Sequence, residues 1–120
     1  MNLHHFNLAR QLSYKSDHDS HHLGCVITYK NRVIGKGYNR NKTHPISHGL
    51  YNNSIHAEMD ALRSIRIPPK GRRIAYIVRE RKDGTLGMAR PCEACMSHFK
   101  ANNVYRIFYS TYNGFEEELI

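Results

Sequence analysis

Two hydrophobic rhythms alternate along the chain. Leu3, Phe6, Ala9 (or Leu8) and Leu12 recur at the spacing of one buried helical face and predict an amphipathic helix over 2–15. The polar stretch 16–22 reads as a loop. Beyond it, 23–29 and 32–38 read as strands, with Lys30-Asn31 between them as a tight hairpin turn. Gly35 and Gly37 either weaken the second strand or mark a close backbone approach to a ligand. Residues 39–54 have no period, contain Pro45 and Gly49, and read as a long loop of the kind that acts as a lid.

Helical spacing returns over 55–66, with Ile55, Met59, Leu62 and Ile65 or Arg66 marking the inner face and Ser54 as the N-cap. Pro68-Pro69 stops this helix. Residues 74–78 are apolar on both alternating faces, as in a central strand covered on two sides. A glycine-containing loop over 81–90 leads to Pro91, which suits the first helical position because it lacks the N–H that the first turn leaves unpaired. A third helix follows to Asn102, and 104–110 is the last strand. The order α-β-β-α-β-α-β ends in two β-α-β crossovers, whose strands should run parallel with right-handed connections.

With 120 residues, the chain is expected to form one domain, 1–120, around a single core. The hydrophobic fraction of 40% suits a globular fold, and the mean hydropathy of −0.64 implies a very polar surface. No basic segment followed by an apolar run opens the sequence, and nothing approaches the roughly 18 apolar residues of a membrane span. A cytoplasmic protein without membrane association is expected. Of the three cysteines, two have metal-type spacing and Cys25 lies in an apolar run as a buried strand thiol, a pattern suited to a reducing compartment rather than a disulfide framework.

The net charge of +8 is unevenly spread. Arg63, Arg66, Lys70, Arg72, Arg73, Arg79, Arg81 and Lys82 face only Glu80 in their window, whereas Glu116, Glu117 and Glu118 crowd the far end. The basic window is either a phosphate-attracting patch or a solvated face.

The chemistry is concentrated in His56-Ala57-Glu58 and Pro91-Cys92-Glu93-Ala94-Cys95. Cys92 and Cys95 share one side of a helix's first turn, where unpaired N–H groups and the helix dipole favour thiolate. His56 and Glu58 lie roughly 200° apart on a helical wheel, so both approach one ion only if the tip of their helix points at it. Two helix starts should therefore converge on one Zn2+ held by His56, Cys92 and Cys95. Three protein ligands leave a tetrahedral site one position for water, which zinc makes reactive at neutral pH. Glu58 stands beside it to move protons.

These motifs, with Gly24-Cys25-Val26-Ile27 and Val33-Ile34-Gly35-Lys36-Gly37-Tyr38-Asn39, resemble the cytidine and deoxycytidylate deaminase superfamily, which also includes tRNA adenosine deaminases and polynucleotide cytosine deaminases. The resemblance covers about 23–110. It implies a three-layer α/β/α sandwich around a mixed sheet, the cytidine deaminase-like fold, with the first strand pair antiparallel and the rest parallel. It implies zinc ligation by His56, Cys92 and Cys95, proton transfer by Glu58, substrate contacts from Asn39 and Ala57, and a homo-oligomer. Relatives often carry a fifth strand and a further helix. Only 111–120 follow the fourth strand here, so a fold truncated at the C-terminus with an exposed final edge is expected. Arg90 stands where many relatives have a small or uncharged residue.

Three functions compete. The first is deamination of a free nucleotide or nucleoside, nearest to dCMP giving dUMP, because Gly37-Tyr38-Asn39 and the long loop resemble the deoxycytidylate branch. Arg40, Lys42 or His44 would then hold a 5′-phosphate or be solvated loop charges, and His44 with His48 would be candidates for a second zinc. The second is deamination of cytosine or adenine within single-stranded DNA or RNA, favoured by the basic window and eight tyrosines, although Tyr29, Tyr76, Tyr105 and Tyr109 fall in predicted strands. The third is a non-catalytic zinc module that binds a partner or nucleic acid, for which Glu58 has no use.

Overall fold

The computed structural model of the chain describes residues 1–18, 21–41, 54–66 and 70–120. Helix α1 (Leu3–Ser13) leads to strands β1 (His22–Tyr29) and β2 (Arg32–Tyr38). The short β3 (Arg40–Asn41) and β4 (Ser54–Ile55) precede helix α2 (Ala57–Ser64). Strand β5 (Arg73–Glu80), the short β6 (Leu86–Gly87), helix α3 (Glu93–Ala101), strand β7 (Val104–Thr111) and strand β8 (Gly114–Leu119) complete the order.

Local chemistry explains the framing elements. Asn2 caps α1, its side chain accepting from the His4 N–H at 2.9 Å. Lys30 and Asn31 both have positive φ, 50° and 64°, which is the backbone of a two-residue turn whose twist matches the strands it joins.

The sheet runs β2-β1-β5-β7-β8, with β6 paired to the end of β5. β1 is antiparallel to both β2 and β5, and β5 is parallel to β7. Thus β2, β5 and β7 point the same way, as the two crossovers require. Alternate residues feed two cores. Val26, Tyr76, Val78 and Phe108 pack with Phe6, Ala9 and Leu12 of α1. Cys25, Ile27, Ala75, Ile77, Ile107 and Tyr109 pack on the opposite face with Ala57, Ala61 and Phe99 of α2 and α3. This is the expected three-layer α/β/α sandwich, and burial on both faces accounts for the uninterrupted apolar runs. Cys25 is fully buried, as its sequence setting predicts.

Gly35 and Gly37 mark a close approach to a helix. A Cβ on Gly37 would overlap the backbone of Ala57 and Ala61, and one on Gly35 would crowd the Ala61 carbonyl, so the bare backbone of β2 lets α2 lie directly on it.

The end of the chain corrects the sequence reading. Residues 114–119 form a fifth strand, antiparallel to β7, rather than leaving β7 as a bare edge. Each glutamate finds a partner: Tyr109 donates to Glu116 at 3.0 Å, Arg106 pairs with Glu117 at 3.0 Å, and Arg90 pairs with Glu118 at 2.7 Å. Burial and the neighbouring carboxylates push the Tyr109 phenol up to about 12. Phe115 meets the Phe6 and Phe108 rings at centroid distances of 5.8 and 6.5 Å, anchoring the strand on the α1 face. A charged edge strand also discourages unwanted pairing with other sheets.

The basic window does not form one surface. Arg73 is only 2% exposed and donates to the Asn102 carbonyl, Arg72 lies over the Tyr105 ring at 5.0 Å, and Arg79 lies against Gly87. The window spans a helix end and a full strand whose side chains alternate between faces, which disperses the charge. Among the described residues no helix is long and apolar enough to cross a membrane.

Candidate metal centre and its cavity

The two motifs meet at the starts of α2 and α3. The N-cap of α2 is His56, with extended φ −72° and ψ 144°, and not Ser54. The reason lies in the preceding backbone: Ser54 and Ile55 pair with Asn41 and Arg40, which keeps the chain extended until His56. Similarly, α3 begins at Glu93 with Cys92 as its extended N-cap, so Pro91 precedes the helix instead of opening it. Neither N-cap side chain makes a capping hydrogen bond. Forgoing a cap typically costs about 1 kcal/mol, so both side chains are committed elsewhere.

They are committed to each other. His56 Nδ1 lies 3.5 Å from Cys95 Sγ and 4.0 Å from Cys92 Sγ, and the three donor atoms lie within 4.8 Å of one another. Around a tetrahedral zinc, bond lengths of about 2.05 Å to nitrogen and 2.3 Å to sulfur place nitrogen and sulfur about 3.6 Å apart. The observed spacing therefore fits one ion shared by His56, Cys92 and Cys95. Burial, and then the Glu58 charge, push the Cys95 thiol well up. A divalent cation supplies the compensating charge that thiolate formation needs there.

Glu58, in the first turn of α2, is 5% exposed, and burial raises its carboxyl above the usual carboxylate range. A hydrogen bond from its own backbone N–H, and then the nearby His56, oppose that rise. A cavity of about 250 Å³ opens onto this group, lined by His18, His21, Leu23, Asn39, His56, Ala57, Glu58 and Cys92. Asn39 and Ala57, the two residues expected at the substrate, thus line the same cavity as His56, Glu58 and Cys92. Asn39 is 6% exposed and largely engaged: its Oδ1 accepts from the Leu23 N–H at 2.8 Å, and its Nδ2 donates to the His21 carbonyl at 2.6 Å. One lone pair and one N–H remain for a ligand.

Arg40 is not available in the way the sequence reading allowed. Its guanidinium grips both carboxylate oxygens of Asp60 at 2.8 Å, and Asp60 also accepts from the Tyr38 N–H at 3.1 Å. Asp60 therefore ties α2 to the end of β2. Its place two residues after Glu58 was the only sequence cue. Lys42, His44 and His48 lie outside the described residues. His18 and His21 also line the cavity, although they sit in an aperiodic polar stretch that carries no motif.

Comparison with known proteins follows this geometry. Residues 2–111 match the family described as the cytidine and deoxycytidylate deaminase zinc-binding region. No match is found among curated protein sequences. Among solved structures, the fold is similar to cytidine deaminase from Burkholderia pseudomallei, with TM-score 0.69, 17% identity, and coverage of 99% of this chain and 93% of that one. It is also similar to dCMP deaminase from the cyanophage S-TIM5 in apo form, with TM-score 0.63, 15% identity, and coverage of 91% and 81%. The same cyanophage enzyme in complex with dCMP and dUMP gives TM-score 0.62 at 14% identity, covering 89% and 78%. These likenesses concern the fold, whereas the family match spans nearly the whole sequence: the chain belongs to the cytidine and deoxycytidylate deaminases, zinc-dependent hydrolases acting on a cytosine-type base.

Proposed function

We propose that the chain deaminates dCMP, or a close cytosine nucleotide, to the corresponding uracil nucleotide. The observation that carries this reading is the convergence of His56 Nδ1, Cys92 Sγ and Cys95 Sγ beside the buried Glu58, in a cavity also lined by Asn39 and Ala57. His56, Cys92 and Cys95 would hold a zinc ion. Zinc bound there supplies the Lewis acidity that makes water a nucleophile at neutral pH.

Glu58 does the proton work. Its carboxylate takes a proton from the attacking water, gives it to the ring nitrogen of cytosine, and passes a second to the amino group as the C–N bond breaks. A C–O bond replaces the C–N bond, and ammonia leaves. The remaining donor and acceptor of Asn39 orient the sugar or base, and Ala57 gives the ring a small apolar neighbour. The complex of the cyanophage enzyme with dCMP and dUMP supports a nucleotide in a cavity on this fold.

The test is a substrate panel with the zinc-loaded protein: cytidine, deoxycytidine, their monophosphates, adenosine and a single-stranded oligonucleotide. Ammonia release from a cytosine nucleotide is expected. Turnover confined to adenosine or to the oligonucleotide would overturn the assignment.

A further inference from the structure

One carboxylate brackets Asn39 from both sides along the chain. Asp60 Oδ2 accepts from the Tyr38 N–H at 3.1 Å and from Arg40 Nη1 at 2.8 Å, while its Oδ1 accepts from Arg40 Nη2 at 2.8 Å. Asp60 stands in the first turn of α2, where its own N–H donates to the His56 carbonyl at 3.0 Å. It therefore lies one helical turn beyond a metal-binding residue and shares that turn with Glu58. Its side chain is 15% exposed, against 37% for Arg40. A carboxylate at that depth is committed to its three protein donors.

Arg40 closes the arrangement into a ring. Its backbone pairs with Ile55, the residue before His56, and its guanidinium lies over the Tyr38 ring at 5.2 Å. The strand exit 38–40 is thus tied to the metal-binding helix at two heights, through Ile55 before His56 and through Asp60 after Glu58. Asn39 sits in the middle of one arm of this ring, and His56, Ala57 and Glu58 occupy the other. All four line the cavity. Seating α2 on the sheet is a separate matter: Gly35 and Gly37 already let the helix backbone rest on β2. The Asp60 side chain acts on the next three residues, those that carry the cavity asparagine.

We propose that Asp60 is a positioning residue for the substrate, which acts through Tyr38 and Arg40 to hold Asn39 in place relative to Glu58. The inference rests on the reading above, in which Asn39 orients the sugar or base. With Asp60 present, the ligand meets the free lone pair and N–H of Asn39 already set. Without it, binding must first order the strand exit, and that cost is subtracted from affinity. Misplacing a group by about 1 Å can cost about 100-fold in rate even when the altered residue touches no substrate.

The experiment compares the zinc-loaded wild type with Asp60→Ala, Asp60→Asn and Asn39→Ala, and with each Asp60 variant combined with Asn39→Ala. Calorimetry measures dUMP binding, and KM and kcat are measured with dCMP. Asp60→Ala is expected to weaken dUMP binding and raise KM about tenfold or more, with kcat changed less because Glu58 is untouched. Asp60→Asn keeps an oxygen for the Tyr38 N–H but loses the bidentate grip on Arg40, so it should fall between the two, and it keeps the test sound if Asp60→Ala misfolds. Coupling separates positioning from plain support of the fold. In the Asn39→Ala background, the Asp60 change should weaken dUMP binding by no more than about twofold further, whereas a generally loosened helix would cost the same factor in both backgrounds. Wild-type dUMP affinity in both Asp60 variants, or an undiminished Asp60 factor in the Asn39→Ala background, overturns the inference alone. Unchanged dUMP affinity in Asn39→Ala removes the Asn39 contact and the inference with it, and leaves deamination standing. A wild type that neither binds dUMP nor turns over dCMP overturns the proposed function and the inference together.

Discussion

Arg90 reaches across to β8 and grips Glu118 with two nitrogens, Nε at 2.7 Å and Nη2 at 3.1 Å. Arg90, just before Pro91-Cys92, thus fastens the fifth strand to the segment that carries Cys92 and Cys95. The Arg90 guanidinium holds the Glu118 carboxyl below its usual range. A depressed carboxylate contributes stability that is complete above its unfolded-chain pKa and is lost as pH falls through the folded value. Glu118→Gln is therefore expected to be less stable than the wild type at pH 7, with the difference closing as the solution is acidified below about pH 4. Urea unfolding at the two pH values measures it. A difference independent of pH would exclude the ion pair as its source. The effect is small because the pair is exposed.

Removing the metal should destabilise the fold. Dialysis against a chelator is expected to lower the melting temperature, and restoring zinc to recover it, with about one ion bound per chain. An ion present at a hundred times its dissociation constant stabilises by about 2.7 kcal/mol. Cys95→Ser should lose most of this zinc response, read as metal content by atomic absorption. Undiminished zinc in that variant would remove Cys95 from the ligand set.

The role proposed for Glu58 predicts a separation of binding from turnover. Glu58→Gln should retain zinc and product-type ligand but lose about 10²- to 10⁴-fold in kcat, the usual contribution of a positioned acid–base group. Activity within a few-fold of the wild type would mean that protons travel by another path.

Gly37→Ala probes the seat of α2. The added methyl would meet the Ala57 and Ala61 backbone, which cannot swing aside as a flexible side chain can. Overpacking of this kind costs about 1–3 kcal/mol. Denaturant unfolding should show that loss with an unchanged m-value. A neutral result would show that α2 is less tightly seated than the structure describes.

Chemistry proved more legible in the sequence than edges were. His56, Glu58, Cys92 and Cys95 stood out because their residue types and spacing have few other uses, and the structure brings the histidine and both sulfurs together. The central strands were legible because burial on both faces leaves unbroken apolar runs. Strand β8 was not, because Gly-Phe-Glu-Glu-Glu-Leu shows no alternation and its pairing depends on Arg90, Arg106 and Tyr109 far along the chain. Ser54 fitted the usual capping preference, yet pairing of β3 with β4 carries the chain past it to His56. The Arg40–Asp60 clamp was hidden for a similar reason, since its partners sit on different elements.

His56 and Cys92 stand on different helices, with the whole of β5 intervening along the chain. Their meeting presupposes that this strand is already seated between β1 and β7. A small finger whose donors are close in sequence can be nucleated by its ion, but here the ion can engage its full set of donors only once the sheet exists. It should act as a latch on the finished molecule, slowing escape from the native state far more than it hastens arrival. The group that equips this protein for chemistry then also governs how long each copy survives.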